Sequence, residues 1–88
     1  MGKFAKILTS VLSGTADCNL AFNDLRHLLR NLDFKERVKG SHHIFWRDGI
    51  PEILNLQPNG SEAKPYQVKQ VRELILRYDL AQGDEADE

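Results

Sequence analysis

The hydrophobic period of this chain changes twice, and the two changes leave few folds open. Leu25, Leu28, Leu29 and Leu32 recur at helical spacing, with Arg26 and Arg30 four apart on the opposite face. From Asp33 the period falls to two: Phe34 to Lys39 alternates as a half-buried strand does. Gly40-Ser41 breaks that strand, and His42 to Arg47 resumes as a second one rich in β-formers. Asp48-Gly49 is a strong hairpin signal, and Ile53 to Leu56 makes a third strand. Pro51 lacks an N–H for a ladder, which keeps the start of that strand at an edge or a bulge. After the turn Pro58-Asn59-Gly60-Ser61, Lys64-Pro65 opens a last helix over about 66–79, with Val68, Val71, Leu74, Ile75 and Tyr78 on its core face.

Upstream, apolar residues at 4, 7, 8, 11 and 12 mark one face of a first helix that Ser13-Gly14 ends. A polar loop, Thr15 to Leu20, leads to Asn23, placed to cap a second helix over roughly 24–32 with Phe22 as its staple residue. The order is helix, helix, three antiparallel strands, helix. Two helices on one face of a three-stranded meander make a two-layer α+β domain, with the first helix as an addition. The divisions expected are a helical extension over 1–21, the main unit over 22–80 and an acidic, disordered tail over 81–88.

A chain of 88 residues builds one modest core, burying about 60–65% of its extended surface. With 41% hydrophobic and 28% charged residues it reads as globular, and no apolar run approaches the ~20 residues of a membrane span. The opening Met1-Gly2-Lys3-Phe4 is followed by no signal-peptide core. Cys18 is alone, which excludes an internal disulfide and fits a reducing, cytoplasmic setting. One Cys and three His at these spacings offer no metal site, and no cofactor motif is present. Net charge is −1, but Asp79, Asp84, Glu85, Asp87 and Glu88 fall in the last ten residues, which hold no base. Without them 12 bases face 8 acids. Six bases, Arg26, Arg30, Lys35, Arg37, Lys39 and Arg47, crowd one 22-residue stretch, a local basic patch suited to a polyanion.

Within that stretch Gly40-Ser41-His42-His43 carries the chemistry. Imidazole takes and gives protons near neutrality, and Arg37, Lys39 and Arg47 frame the pair. A proton-transfer group among cations suits an anionic substrate, and RNA is a polyanion whose own 2′-hydroxyl needs such a group. Adjacent strand residues point to opposite faces, so in a regular strand only one of His42 and His43 reaches a given phosphate. Of Phe45 and Trp46, one belongs to the core and one to the surface, where an exposed ring could stack on an unpaired base. Lys64, just before the last helix, suits a phosphate at a helix N-terminus. Ser41, Arg37, Lys39, Arg47, Trp46 and Lys64 are thus the expected RNA contacts.

The leucine-rich helix, Gly-Ser-His-His-Ile-Phe, Asp-Gly, and Lys-Pro before Val-Lys-Gln-Val-Arg-Glu-Leu-Ile together resemble the HicA toxins. The resemblance covers about residues 22–80, and Lys39 to Arg47 is its most specific part. It implies a double-stranded-RNA-binding-like α-β-β-β-α fold. It also implies a metal-independent endoribonuclease that cleaves mRNA, neutralised by a HicB-like antitoxin through which it could oligomerise. The histidine after the Gly-Ser pair, here His42, would be catalytic, with His43 as a second candidate. The chain departs from that pattern in residues 1–21 and in its acidic tail. Asn55-Leu56-Gln57-Pro58 stands where relatives carry a proline-histidine pair, and Tyr66-Gln67 where Gly-Thr is usual. A module that binds RNA without cutting it, or a purely protein-binding domain, would use the same fold.

Overall fold

The computed structural model describes residues 2–81. Six elements follow one another: α1 (Lys3–Ser13), α2 (Phe22–Asn31), β1 (Lys35–Lys39), β2 (His42–Arg47), β3 (Ile50–Leu56) and α3 (Pro65–Arg77). The change of period at Asp33 is made by the backbone. Phe34 N–H bonds Leu29 O at 3.0 Å and Asp33 N–H bonds Arg30 O at 3.1 Å, the two bonds of a Schellman stop. Such a stop needs a left-handed residue, and Asp33 supplies it at φ 71°. Aspartate is one of the few residues other than glycine that visits this region. α3 ends the same way, with Asp79 at φ 55° and Leu80 N–H on Ile75 O at 3.0 Å.

The second helix starts differently from the sequence expectation. Asn23 is not its cap: Ala21 holds that position, and Phe22 is the first helical residue, not a staple outside it. The reason is a tertiary tie. Phe22 N–H bonds Ser61 O and Ala63 N–H bonds Leu20 O, both at 2.9 Å, so the 61–63 segment satisfies the helix start with backbone. Asn23 Oδ1 instead accepts from Arg26 Nη1 at 3.1 Å.

The three strands form one antiparallel meander, ordered β1-β2-β3. Lys39 pairs His42 and Lys35 pairs Trp46. On the other side Arg47 pairs Ile50 while Phe45 pairs Leu54, so Pro51, Glu52 and Ile53 together oppose Trp46. β3 therefore starts at Ile50, earlier than the expected Ile53, and Pro51 sits in a bulge of an edge strand. The helices cover one face of the sheet. Phe45, Leu54 and Leu56 meet Leu25, Leu28 and Leu29 of α2 and Val68, Val71 and Ile75 of α3 in one core, and Ile7, Leu8 and Val11 of α1 belong to the same cluster. Arg72 of α3 reaches across to Val11 O and Asp17 Oδ1, each at 3.0 Å. The architecture is the expected α+β, α-β-β-β-α, with one added N-terminal helix. The acidic tail from Gln82 onward lies outside the described residues.

Candidate active site

Gly40 and Ser41 form a two-residue turn closed by the Lys39–His42 pair. Gly40 lies at φ 61°, a backbone region open to glycine at little cost. That turn delivers His42 and His43 into the first two positions of a regular strand. Because strand side chains alternate, the two rings part. His42, Ile44 and Trp46 face away from the helices, whereas His43, Phe45 and Arg47 turn toward them, with Phe45 fully buried.

On the open face, Lys39 is the cross-strand partner of His42, Arg37 of Ile44 and Lys35 of Trp46. Partners share a face, so three bases run along β1 beside the row His42, Ile44 and Trp46. His42 is exposed, and its Nδ1 lies 3.0 Å from Asn55 Oδ1 of β3. An amide oxygen only accepts, so with the Asn55 amide in this orientation Nδ1 donates, and in the neutral ring the lone pair is then on Nε2. The turn itself is braced from α3. With its amide turned so that oxygen meets N–H and nitrogen meets carbonyl, the buried Gln67 side chain donates to Gln57 O and accepts from Gln57 N–H, both at 3.0 Å. The Gln57 side chain in turn donates to Ser41 Oγ at 2.9 Å. Lys64, at the N-cap of α3, joins this corner only through its backbone, its carbonyl accepting from Gln67 N–H at 2.9 Å.

His43 has a different environment. Its Nδ1 lies 2.7 Å from Glu36 Oε2, and its ring meets Phe22 edge-on with centroids 4.9 Å apart. Glu36 also accepts from Arg26, Nε at 2.7 Å and Nη2 at 3.2 Å. Burial raises the Glu36 carboxyl, but hydrogen bonds from Arg26 and His43 and the charge of Arg26 outweigh it and hold the group below its ordinary value.

The expected site residues therefore divide. His42, Lys39, Arg37 and the half-buried Trp46 share the open face, with Ser41 at its rim. Arg47 does not join them: it lies at the far end of β2, about 16 Å along the strand from His42, and alternation sets it on the helix side. Asn55, Gln57, Gln67 and Glu36 were not foreseen as site residues. Of these Asn55 had a signal, since the Asp48-Gly49 turn fixes which face of β3 it shares. Among the described residues no three His, Cys, Asp or Glu side chains gather as a metal would require, and no helix is long and apolar enough to cross a membrane.

The arrangement offers one accessible imidazole with a set tautomer, cations beside it and an aromatic ring further along the same strand. The family profile described as "HicA toxin of bacterial toxin-antitoxin" matches residues 22–77, from the start of α2 to the end of α3. No curated protein and no solved structure matches the chain significantly.

Proposed function

The chain belongs to the HicA toxin family of bacterial toxin–antitoxin systems, and from that membership we propose that it is an endoribonuclease that cleaves mRNA at its open sheet face. The observation that carries the proposal is the His42 ring: exposed, held through Nδ1 by Asn55, and paired across the ladder with Lys39.

In the proposed reaction Nε2 of His42 takes the proton of a ribose 2′-hydroxyl as its oxygen attacks the adjacent phosphorus. The bond from phosphorus to the 5′-oxygen breaks, and that oxygen takes a proton from the imidazolium or from water. The products are a 2′,3′-cyclic phosphate and a 5′-hydroxyl. Positioned proton transfer of this kind contributes about 10²–10⁴-fold. Lys39, with Arg37 one pair further along β1, offsets the charge that builds on the phosphorane. Trp46 offers a ring on which a neighbouring base stacks. A HicB-like antitoxin would silence the enzyme by covering this face.

The test is His42→Ala. The variant should fold, bind RNA and bind its antitoxin, yet lose RNA cleavage and growth inhibition. Unchanged cleavage by His42→Ala would end the proposal. One observation favours a second reading, a module that holds RNA without cutting it. His43, the neighbouring imidazole, is paired with Glu36 on the other face, which leaves a single proton-transfer group at the site. Wild-type protein that binds RNA and leaves it whole would establish that reading instead.

A further inference from the structure

The six bases between Arg26 and Arg47 do not form one patch. Folding sends Lys35, Arg37 and Lys39 to the open face, while Arg26 and Arg30 stay on α2 in the other layer. There a groove of about 560 Å³ runs along the helix, lined by Lys3 of α1 together with Asn23, Arg26, His27, Arg30 and Asn31. A second cleft of about 190 Å³ shares Asn23 and Arg26 with it and continues to His43 and Ser61. The shared residues make the two a continuous trough.

The chemistry of the trough is one-sided. Every side chain lining the larger part is a cation, an imidazole or an amide. Two acids lie near, Asp24 at 3.6 Å from Lys3 and Glu36 at 2.7 Å from Arg26, but neither lines either part. Arg26 is fixed by Glu36 and Asn23. Arg30 is exposed and makes no ion pair among the described residues. A helix from a protein partner would need apolar anchors, and the larger groove provides none. A phosphodiester backbone needs charge and N–H donors in a row, and Asn23 to Asn31 present them along about 12 Å of helix.

We propose that this trough is a second RNA contact, a track for the phosphate backbone on the helical layer, separate from the His42 face. The ligand rests on the RNA-cutting function proposed above; the geometry does not depend on His42. A backbone held here and cut at the sheet would make the enzyme prefer a strand long enough to pass around the β1 edge.

The experiment measures binding of a single-stranded RNA oligonucleotide to the His42→Ala protein over a series of salt concentrations. Removing one cation that neutralises a phosphate should flatten the slope of log affinity against log salt by about 0.7. Lys3→Gln combined with Arg30→Gln should therefore flatten it by about 1.4 and weaken all RNA sequences alike. Lys69→Gln on the exposed side of α3 should leave it unchanged. Either single glutamine variant gives the same reading at half the size should the pair fold poorly. An unchanged slope overturns the proposal. Full RNA binding with antitoxin binding abolished also overturns it, because the trough would then be a protein contact. The slope is read without any cleavage, so failure of the ribonuclease reading and failure of this one are separate results.

Discussion

At the scale of single residues, the proposed chemistry hangs on which nitrogen of His42 faces the solvent, and Asn55 decides that. Replacing Asn55 with leucine removes the acceptor and frees the ring to rotate and to change tautomer. Cleavage should fall about tenfold, less than the ~10²–10⁴-fold that losing the proton transfer itself would cost, with kcat lowered and KM little changed. Asn55→Asp still accepts from Nδ1 and should restore most of the rate, a rescue that a purely structural role for Asn55 would not produce. The histidine pair and its basic frame are legible in the sequence because they are contiguous. Asn55 is legible only through register. A two-residue Asp48-Gly49 turn pairs Arg47 with Ile50, and counting back without interruption sets His42 opposite Asn55. The bulge at Pro51 moves the pairing by two residues, to Ile44 opposite Asn55, and a shift of two keeps Asn55 on the face of His42. Gln67 has no such signal, because its role is to hold backbone at Gln57, and nothing in a sequence marks which backbone a distant amide meets.

Among the elements, the joint between α2 and the sheet is ionic at its margin as well as apolar at its centre. Glu36 on β1 receives Arg26 from α2 and His43 from β2, with only 8% of its side chain exposed. Its carboxyl lies below its ordinary value of 4.5 in the folded protein, so the folded state favours the charged form. The stability this contributes is therefore fully present above 4.5 and is lost as pH falls through the lower, folded value. Glu36→Gln should cost about 1.5–3 kcal/mol at pH 7, the range for a hydrogen bond to a charged group. That deficit should shrink toward zero in denaturant melts repeated at successively lower pH below 4.5. A deficit that stayed constant with pH would assign the loss to packing. Element type and order were readable from period alone, whereas boundaries were not. Asp33 and Asp79 end their helices in a backbone usually given to glycine. Ala21 starts one with no side-chain cap, because residues 61–63 supply the partners from another part of the chain.

For the whole molecule, the question is whether α1 is an appendage or a structural member, and sequence could say only that it is amphipathic. Its apolar face needs a partner, and a pattern of residues does not name one. The structure supplies α2 and α3: Val11 is fully buried, Ile7 and Leu8 are 6% exposed, and Arg72 holds the last turn and Asp17 from the far helix. Gly14 fits that clasp because it lies at φ 76° and an added Cβ would sit 3.3 Å from Arg72 Nη1. A core shared this way should unfold as one unit. Leu8→Ala should cost about 2–5 kcal/mol, a large share of the ~5–15 kcal/mol that holds a small domain together. The melting temperature should then drop on the order of 10 °C or more. Trp46 makes the test decisive, since it is the chain's single tryptophan and lies on the open sheet face, the side turned away from the helices. If α1 is integral, Trp46 fluorescence and far-ultraviolet circular dichroism shift together in Leu8→Ala, as a two-state unit requires. If α1 were an appendage, helical signal would be lost early while the tryptophan transition stayed at the wild-type temperature.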